Sequence, residues 1–147
     1  MKKPSQAAVI RCETYQKESV QKAVEKGLEL LGGAQRFAQP GEKILIKPNL
    51  LIGEPPEKQI SPHPTVFEAV LRCFQESGAA LRYGDSPAFG KPGAAARKPG
   101  LAEVAERLGV PLADFENGET VSFPEGRSNN SPSPGGGAGG GWVDLAG

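Results

Sequence analysis

Short apolar runs alternate with segments of helical periodicity along this chain, and the alternation constrains its fold more than any other feature. The runs predict β-strands at residues 7–10, 43–47, 79–83 and 110–115, with a shorter one at 121–123. Apolar residues spaced at i, i+3, i+4 and i+7 predict helices at about 19–31, 64–77 and 101–108. Strands that alternate with helices form right-handed βαβ units. We therefore predict an α/β fold of three layers, a mainly parallel sheet of four to five strands flanked by helices.

The second of these runs carries the strongest strand signal. Three consecutive apolar residues, Ile44-Leu45-Ile46, stand between two lysines, a pattern typical of a parallel strand that is buried on both faces. Pro48 ends this strand, and an irregular loop is predicted from Asn49 to His63. A second loop is predicted over residues 88–99, because glycine and proline recur there.

The composition changes sharply near the end of the chain. The 147 residues suffice for one domain, which we place at residues 1–127. From Ser128 to Gly141, thirteen of fourteen residues are Ser, Asn, Pro or Gly. Such a segment cannot bury enough apolar surface to offset the entropy lost on ordering. Residues 128–147 are therefore predicted to form a disordered C-terminal tail.

Charge and cysteine content narrow the classes of function. The 17 basic and 17 acidic residues balance, so the chain lacks the basic surface that nucleic-acid binding requires. No apolar stretch reaches the length of a membrane span and no secretory signal is present, so a cytoplasmic location is expected. Cys12 and Cys73 are far apart and predicted to be reduced thiols. Two cysteines are too few for an iron–sulfur or zinc site, so no cofactor is expected in this chain alone.

Five chemically useful side chains fall near the carboxyl ends of the predicted strands, where parallel sheets bind their ligands. They are Lys47, Asn49, His63, Asp85 and Ser86. A lysine offers a positive charge, an asparagine both a donor and an acceptor, and a serine a hydroxyl for an anion. An aspartate accepts hydrogen bonds or ligates a cation. The set predicts a site for a small anionic ligand or a metal ion.

Structural roles explain some of the same residues equally well. Asp85 and Ser86 are frequent turn formers and helix caps, and Lys47 can be a solvated strand end. His63 is the only histidine, so it is the side chain best suited to proton transfer near neutral pH. It can equally cap the helix that begins at Pro64.

Known phosphate-binding fingerprints are absent, but one nucleophile motif is present. Neither Gly-x-Gly-x-x-Gly nor a Walker sequence occurs. Gly84-Asp85-Ser86 resembles the serine block of the Gly-Asp-Ser esterases, which need a histidine base supported by a carboxylate. Those enzymes place the block near the start of the chain and an Asp-x-x-His pair near its end. No histidine follows Ser86, so His63 would have to act as the base.

Several segments in fixed order also resemble a known family. They are Val9-Ile10-Arg11-Cys12-Glu13, Pro40-Gly41-Glu42-Lys43-Ile44-Leu45-Ile46-Lys47-Pro48-Asn49, Pro62-His63-Pro64, Gly84-Asp85-Ser86-Pro87 and Gly100-Leu101-Ala102-Glu103. Together they resemble the N-terminal part of domain of unknown function 362, over about residues 9–126. Family members usually read Thr-His-Pro where this chain reads Ser61-Pro62-His63-Pro64.

The resemblance implies a redox or cofactor-linked role for full-length relatives, many of which carry iron–sulfur modules. The family domain continues through a lysine-rich segment that this chain lacks, so we expect a truncated or frame-shifted member. Three hypotheses follow. The first is the ligand- or metal-binding portion of an iron–sulfur-associated protein of unknown reaction. The second is a serine hydrolase using Ser86. The third is a non-catalytic remnant or interaction module that self-associates through an exposed sheet edge.

Overall fold

The computed structural model describes residues 5–117, a mixed α/β arrangement around one parallel strand pair. Within that range the regular elements occur in this order: α1 (Lys17–Leu30), β1 (Lys43–Ile46), α2 (Pro64–Glu76), β2 (Ala80–Tyr83), α3 (Pro92–Arg97) and α4 (Leu101–Arg107). Short 3₁₀ turns lie at Ala34–Arg36 and Pro56–Lys58. The helices and strands at the centre of the chain therefore follow the predicted alternation.

The three predicted helices form where the periodicity places them. α1 ends before Gly32, whose φ of +100° is a backbone conformation that glycine adopts without steric cost. α2 begins with Pro64 in its first turn, where the missing N–H has no helical partner to lose. α4 begins at Leu101, and its buried residues Leu101, Val104 and Ala105 share one face.

The sheet is parallel but smaller than predicted. β1 pairs with β2 so that Ile44 lies opposite Leu81 and Ile46 opposite Tyr83. The predicted strand at 110–115 contributes only one parallel bridge, between Leu112 and Tyr83. Pro111 limits this pairing because proline has no N–H to donate to a ladder. Four to five strands are not confirmed, and the strand predicted at 121–123 lies outside the described residues, as does the predicted tail.

The strand predicted at residues 7–10 is wrong. This segment has no regular secondary structure, it belongs to neither β-strand, and Val9 is 93% exposed. Ile10 instead approaches α1, with its Cγ1 atom 3.6 Å from where a Cβ on Gly27 would stand. A short apolar run can pack against a helix as readily as it can join a sheet, and composition alone does not distinguish these two arrangements.

The loop predicted over residues 88–99 is also wrong, since α3 occupies Pro92–Arg97. Proline at the start of a helix is favourable, and Ala94-Ala95-Ala96 is a run of the best helix-forming residue. Glycine and proline around this run indicate a loop by composition, but Pro92 stands in the first turn of a helix, where proline is tolerated.

The core lies between β2 and the helices α2, α3 and α4. Its fully buried side chains include Leu71, Leu101 and Ala105, and Leu50 joins them from the loop after β1. Ile44, Leu45 and Ile46 are only half-buried, so the prediction of a strand buried on both faces is wrong and a three-layer arrangement is not confirmed. No helix among residues 5–117 is long and apolar enough to cross a bilayer.

Candidate functional site

The parallel pairing of β1 and β2 brings two polar sequence motifs to one edge of the sheet. Because Ile46 lies opposite Tyr83, the residues that follow the two strands emerge side by side. The Gly84 N–H donates to the Ile46 carbonyl over 3.1 Å, which extends the pairing by one residue and sets Asp85 beside the chain after Lys47. This edge carries four of the five predicted site residues.

Those four residues, Lys47, Asn49, Asp85 and Ser86, form what we term the strand-end cluster. The Lys47 Nζ atom lies 2.9 Å from Asp85 Oδ1 and donates to Asn49 Oδ1 over 2.8 Å. The Ser86 N–H donates to Asp85 Oδ1 over 2.9 Å. Their positions at strand ends predict that these residues converge, and the structure brings them into direct contact.

Asp85 is the buried centre of the cluster. The residue is 7% exposed, and its second oxygen, Oδ2, accepts a 2.9 Å hydrogen bond from the Leu50 N–H. Leu50 is itself fully buried, so its N–H would otherwise face an apolar surrounding. Asp85 therefore neutralises Lys47 and also fixes the backbone of the loop that follows β1.

Lys47, Asn49 and Ser86, by contrast, reach solvent. Lys47 keeps 56% of its side chain exposed, and Asn49 and Ser86 are also exposed. The Lys47 ammonium has three N–H donors, of which Asp85 and Asn49 take two. The exposed groups of the cluster are therefore mainly hydrogen-bond donors, whereas the Asp85 carboxylate faces the protein interior.

Two tightly packed glycines hold the loops that carry the cluster in place. A Cβ on Gly84 would stand 2.5 Å from the Phe115 ring, so this position requires a residue without a side chain. Gly53, at φ +62°, lies against α3, and a Cβ there would stand 2.5 Å from Ala95 Cα. The Ala88 N–H donates to the Leu51 carbonyl over 2.7 Å, which joins the loops that follow β1 and β2.

His63 lies apart from the strand-end cluster. It is the N-cap of α2, where its Nδ1 accepts from the Thr65 N–H at 3.3 Å and lies 2.8 Å from Thr65 Oγ1. Its ring stacks on Tyr15 with centroids 3.9 Å apart. Ser61, two residues before His63, is nearer to the cluster, since its Oγ donates to the Leu50 carbonyl over 3.3 Å. The capping interpretation of His63 thus accounts for its contacts with Thr65, and the Tyr15 stacking is an additional contact.

The cysteines do not fit an iron–sulfur cluster. Cys12 is exposed and Cys73 is buried on α2, where Gln21 Nε2 donates to its Sγ over 3.5 Å. Burial raises the pKa of the Cys73 thiol, which disfavours the thiolate that a cluster needs. Within residues 5–117, no group of three or more His, Cys, Asp or Glu side chains converges in a way that could hold a metal ion.

One buried charged centre was not predicted from the sequence. Glu68 on α2 is 5% exposed and pairs with Lys17 of α1, Arg72 of α2 and Arg107 of α4, which together we term the Glu68 cluster. Burial alone would raise the pKa of Glu68. Hydrogen bonds from Arg72 and Lys17 and the charge of Arg107 outweigh that effect, so its pKa lies below the ordinary glutamate value. The i, i+4 spacing of Glu68 and Arg72 was the one local signal.

Comparison with known proteins identifies the family of this chain. The chain is 35% identical over 111 residues to "Thylakoid-associated protein sll1697" of Synechocystis sp., a match that covers 76% of this chain and 35% of that protein. The chain thus spans about a third of the length of this relative. No solved structure matches the chain. The family model "Domain of unknown function (DUF362)" matches residues 44–132, which include both motifs of the strand-end cluster, and the chain belongs to that family.

Proposed function

We propose that the strand-end cluster binds a small anionic ligand and forms one side of a larger binding site. The observation that carries the proposal is the saturation of Asp85, whose two oxygens are bonded to Lys47, Ser86 N–H and Leu50 N–H. With the carboxylate turned inward, Lys47 Nζ, the Asn49 amide and the Ser86 hydroxyl are the groups left to meet a ligand. All are donors that match a phosphate or carboxylate oxygen.

This argument favours an anion over a metal ion. A divalent cation would have to displace Lys47 from Asp85 and would find no second carboxylate in contact with it among the described residues. Mg²⁺ and Ca²⁺ sites use several oxygen ligands, usually with more than one carboxylate. An anion needs no such rearrangement, because Lys47 keeps one donor directed away from its two partners.

The wider role of the protein is part of the same proposal. Since this chain spans about a third of its relative, the opposite wall of the pocket would come from sequence beyond the matched region. The redox-linked, iron–sulfur-associated role implied for full-length family members would likewise depend on ligands supplied elsewhere, because Cys12 and Cys73 do not fit a cluster. A cytoplasmic location stays a prediction, and the relative's printed association with thylakoids suggests examining the membrane fraction as well.

The experiment is a phosphate titration followed by the backbone amide resonances of Leu50 and Ser86 in ¹⁵N NMR spectra. Sodium chloride keeps the ionic strength constant. We expect saturable shifts of both resonances in the wild type, and binding at least about tenfold weaker in Lys47→Gln, because one charge-assisted hydrogen bond is lost. Lys22→Gln, an exposed lysine of α1, is the matched control and should bind like the wild type.

Two outcomes would overturn the proposal. One is the absence of any saturable shift at constant ionic strength, and the other is equal binding by Lys47→Gln and Lys22→Gln. A parallel titration with Mg²⁺ distinguishes the metal hypothesis. We expect Mg²⁺ to leave Leu50 and Ser86 unshifted, since Asp85 is already bonded to Lys47. Saturable shifts with Mg²⁺ alone would favour a cation site instead.

The serine hydrolase and self-association hypotheses differ in the observations that favour them. Nothing supports the serine hydrolase, because the described contacts of His63 are with Thr65 and Tyr15 rather than with Ser86. Self-association keeps one favourable observation: Leu112, at the single bridge beyond β2, is 36% exposed. A second copy of the chain could cover this apolar edge. Light scattering would test it, with a monomer at all concentrations as the contradicting result.

A further inference from the structure

The Glu68 cluster concentrates positive charge in a way that ion pairing alone does not require. Lys17 Nζ lies 3.2 Å and Arg107 Nη2 2.6 Å from Glu68 Oε2. Arg72 donates to Oε1 through Nε at 3.2 Å and Nη2 at 2.9 Å. One cation would neutralise the carboxylate, as Lys47 does for Asp85. Three cations leave a surplus of positive charge on this surface.

A cavity lies beside this surplus. It has a volume of about 280 Å³ and is lined by the following residues of α1 and α2: Lys17, Glu18, Gln21, Thr65, Glu68, Ala69 and Arg72. The two helices run in the same direction, because Lys17 pairs with Glu68 near their starts and Gln21 contacts Cys73 further along. The cavity thus lies between the first two turns of α1 and residues 65–72 of α2.

Glu68 holds the cations in place and leaves them able to bind. Its side chain is only 7% exposed, while those of Lys17, Arg72 and Arg107 are 60%, 47% and 49% exposed. Arg72 uses one edge of its guanidinium on Glu68, which leaves the other terminal nitrogen for a second partner. Lys17 has further N–H donors beyond its pair with Glu68. Lys17 and Arg72 balance Glu18 and Glu68 in the cavity lining, and Arg107, which pairs with Glu68 beside it, adds one positive charge.

We propose that this cavity is a second binding site, for a phosphate group or another oxyanion of similar size, held chiefly by Lys17 and Arg72. Glu68 is a positioning residue that fixes the two cations across the α1–α2 interface. Because the buried Glu68 carboxylate holds both cations, the donors are oriented before the anion arrives, which lowers the entropic cost of binding. The lowered pKa of Glu68 agrees with a positive surrounding at this point. The site is separate from the strand-end cluster and does not depend on it.

The test follows the Arg72 side-chain Nε–Hε resonance by ¹⁵N NMR during titration with inorganic phosphate, again at constant ionic strength. We expect a saturable shift in the wild type. Lys17→Gln should weaken binding about tenfold through the loss of one charge-assisted contact. Arg72→Lys, read through the backbone amides of Lys17 and Thr65, should also weaken it, because lysine keeps the charge but loses the second donor edge.

Two controls separate this site from general charge effects and from the strand-end cluster. Lys26→Gln changes a lysine on the same helix that pairs with exposed Glu29, and it should bind phosphate like the wild type. Lys47→Gln should leave the Arg72 titration unchanged while it weakens, by about tenfold, the binding that Leu50 and Ser86 report. The proposal is overturned by a non-saturable Arg72 shift, or by equal affinities in Lys17→Gln and Lys26→Gln.

Discussion

Asp85 and Glu68 are the buried acidic residues of the described chain, and the protein surrounds them differently. Asp85 meets one cation and two backbone N–H groups, from Leu50 and Ser86. Glu68 meets three cationic side chains from three helices. Backbone groups have fixed positions, whereas lysine and arginine side chains can turn toward water when their partner is removed.

The difference separates two ways of building a polar centre. At the strand ends the carboxylate determines the course of a loop, so losing it changes the backbone that presents Lys47 and Asn49. At the Glu68 cluster the carboxylate positions side chains on helices that form without it. We therefore expect changes at the strand ends to affect stability and structure together, and changes at Glu68 to affect mainly charge and binding.

The largest effect on stability is expected from Gly53→Ala, which disturbs the packing of the loop that follows β1 against α3. The new Cβ would stand 2.5 Å from Ala95 Cα at a φ of +62°. We expect a loss of about 3–4 kcal/mol in the free energy of unfolding, from overpacking added to backbone strain. Gly90→Ala is the matched control, since its φ is +80° with nothing within 4 Å. It should cost only about 1 kcal/mol, and equal losses would show that the contact with α3 is unimportant.

The next effect is expected from Asp85→Ala. The buried Leu50 N–H loses its acceptor and Lys47 its partner, so we expect a loss of about 2–3 kcal/mol, measured by urea unfolding. Asp85→Asn should cost less, because an amide oxygen can still accept from Leu50. If the two variants are equally stable, the Lys47 ion pair rather than the backbone bond is the important contact.

A smaller effect is expected from Glu68→Gln. Its three cations are about half exposed and can rehydrate, so we expect a loss of about 1–2 kcal/mol in the free energy of unfolding. Glu29→Gln, which alters an exposed pair with Lys26, should cause no measurable change. A loss in Glu68→Gln greater than that in Asp85→Ala would reverse the comparison between the two regions.

The smallest effect is a difference in pH dependence. The pKa of Glu68 is lower in the folded chain than its ordinary value, so the unfolded state binds the proton more readily. Its stabilising contribution is complete above the unfolded pKa and is lost as the pH falls through the folded value. As the pH falls below about 5, wild-type stability should therefore fall more steeply than that of Glu68→Gln, and the two curves should run parallel above that pH. Curves from urea titrations that stay parallel below about pH 5 would contradict this assignment.

Local sequence signals predicted some of this structure well. The Ile44-Leu45-Ile46 run, the proline at the start of α2 and the periodicity of α4 gave the correct elements, and the parallel pairing followed from their alternation. Because parallel strands end at one edge, Lys47 and Asp85 could be expected to meet.

The failures concern information that lies outside any short segment. Whether residues 7–10 join the sheet or lie on α1 depends on tertiary packing that their composition does not encode. The Leu50 N–H that bonds Asp85 belongs to the backbone, so no side-chain pattern could indicate it. Lys17 and Arg107 are 51 and 39 residues from Glu68 in sequence, and they meet it only because three helices pack together.

The central claim is that Asp85 fixes the loop that follows β1 through its hydrogen bond with the Leu50 backbone. Hydrogen exchange at the Leu50 amide tests this claim most directly. Leu50 lies in a loop, yet its N–H is bonded to Asp85. We expect slow exchange in the wild type and in Glu68→Gln. In Asp85→Ala exchange should be at least about tenfold faster than the loss of global stability explains. Leu50 exchange in Asp85→Ala that only follows global unfolding would contradict the account.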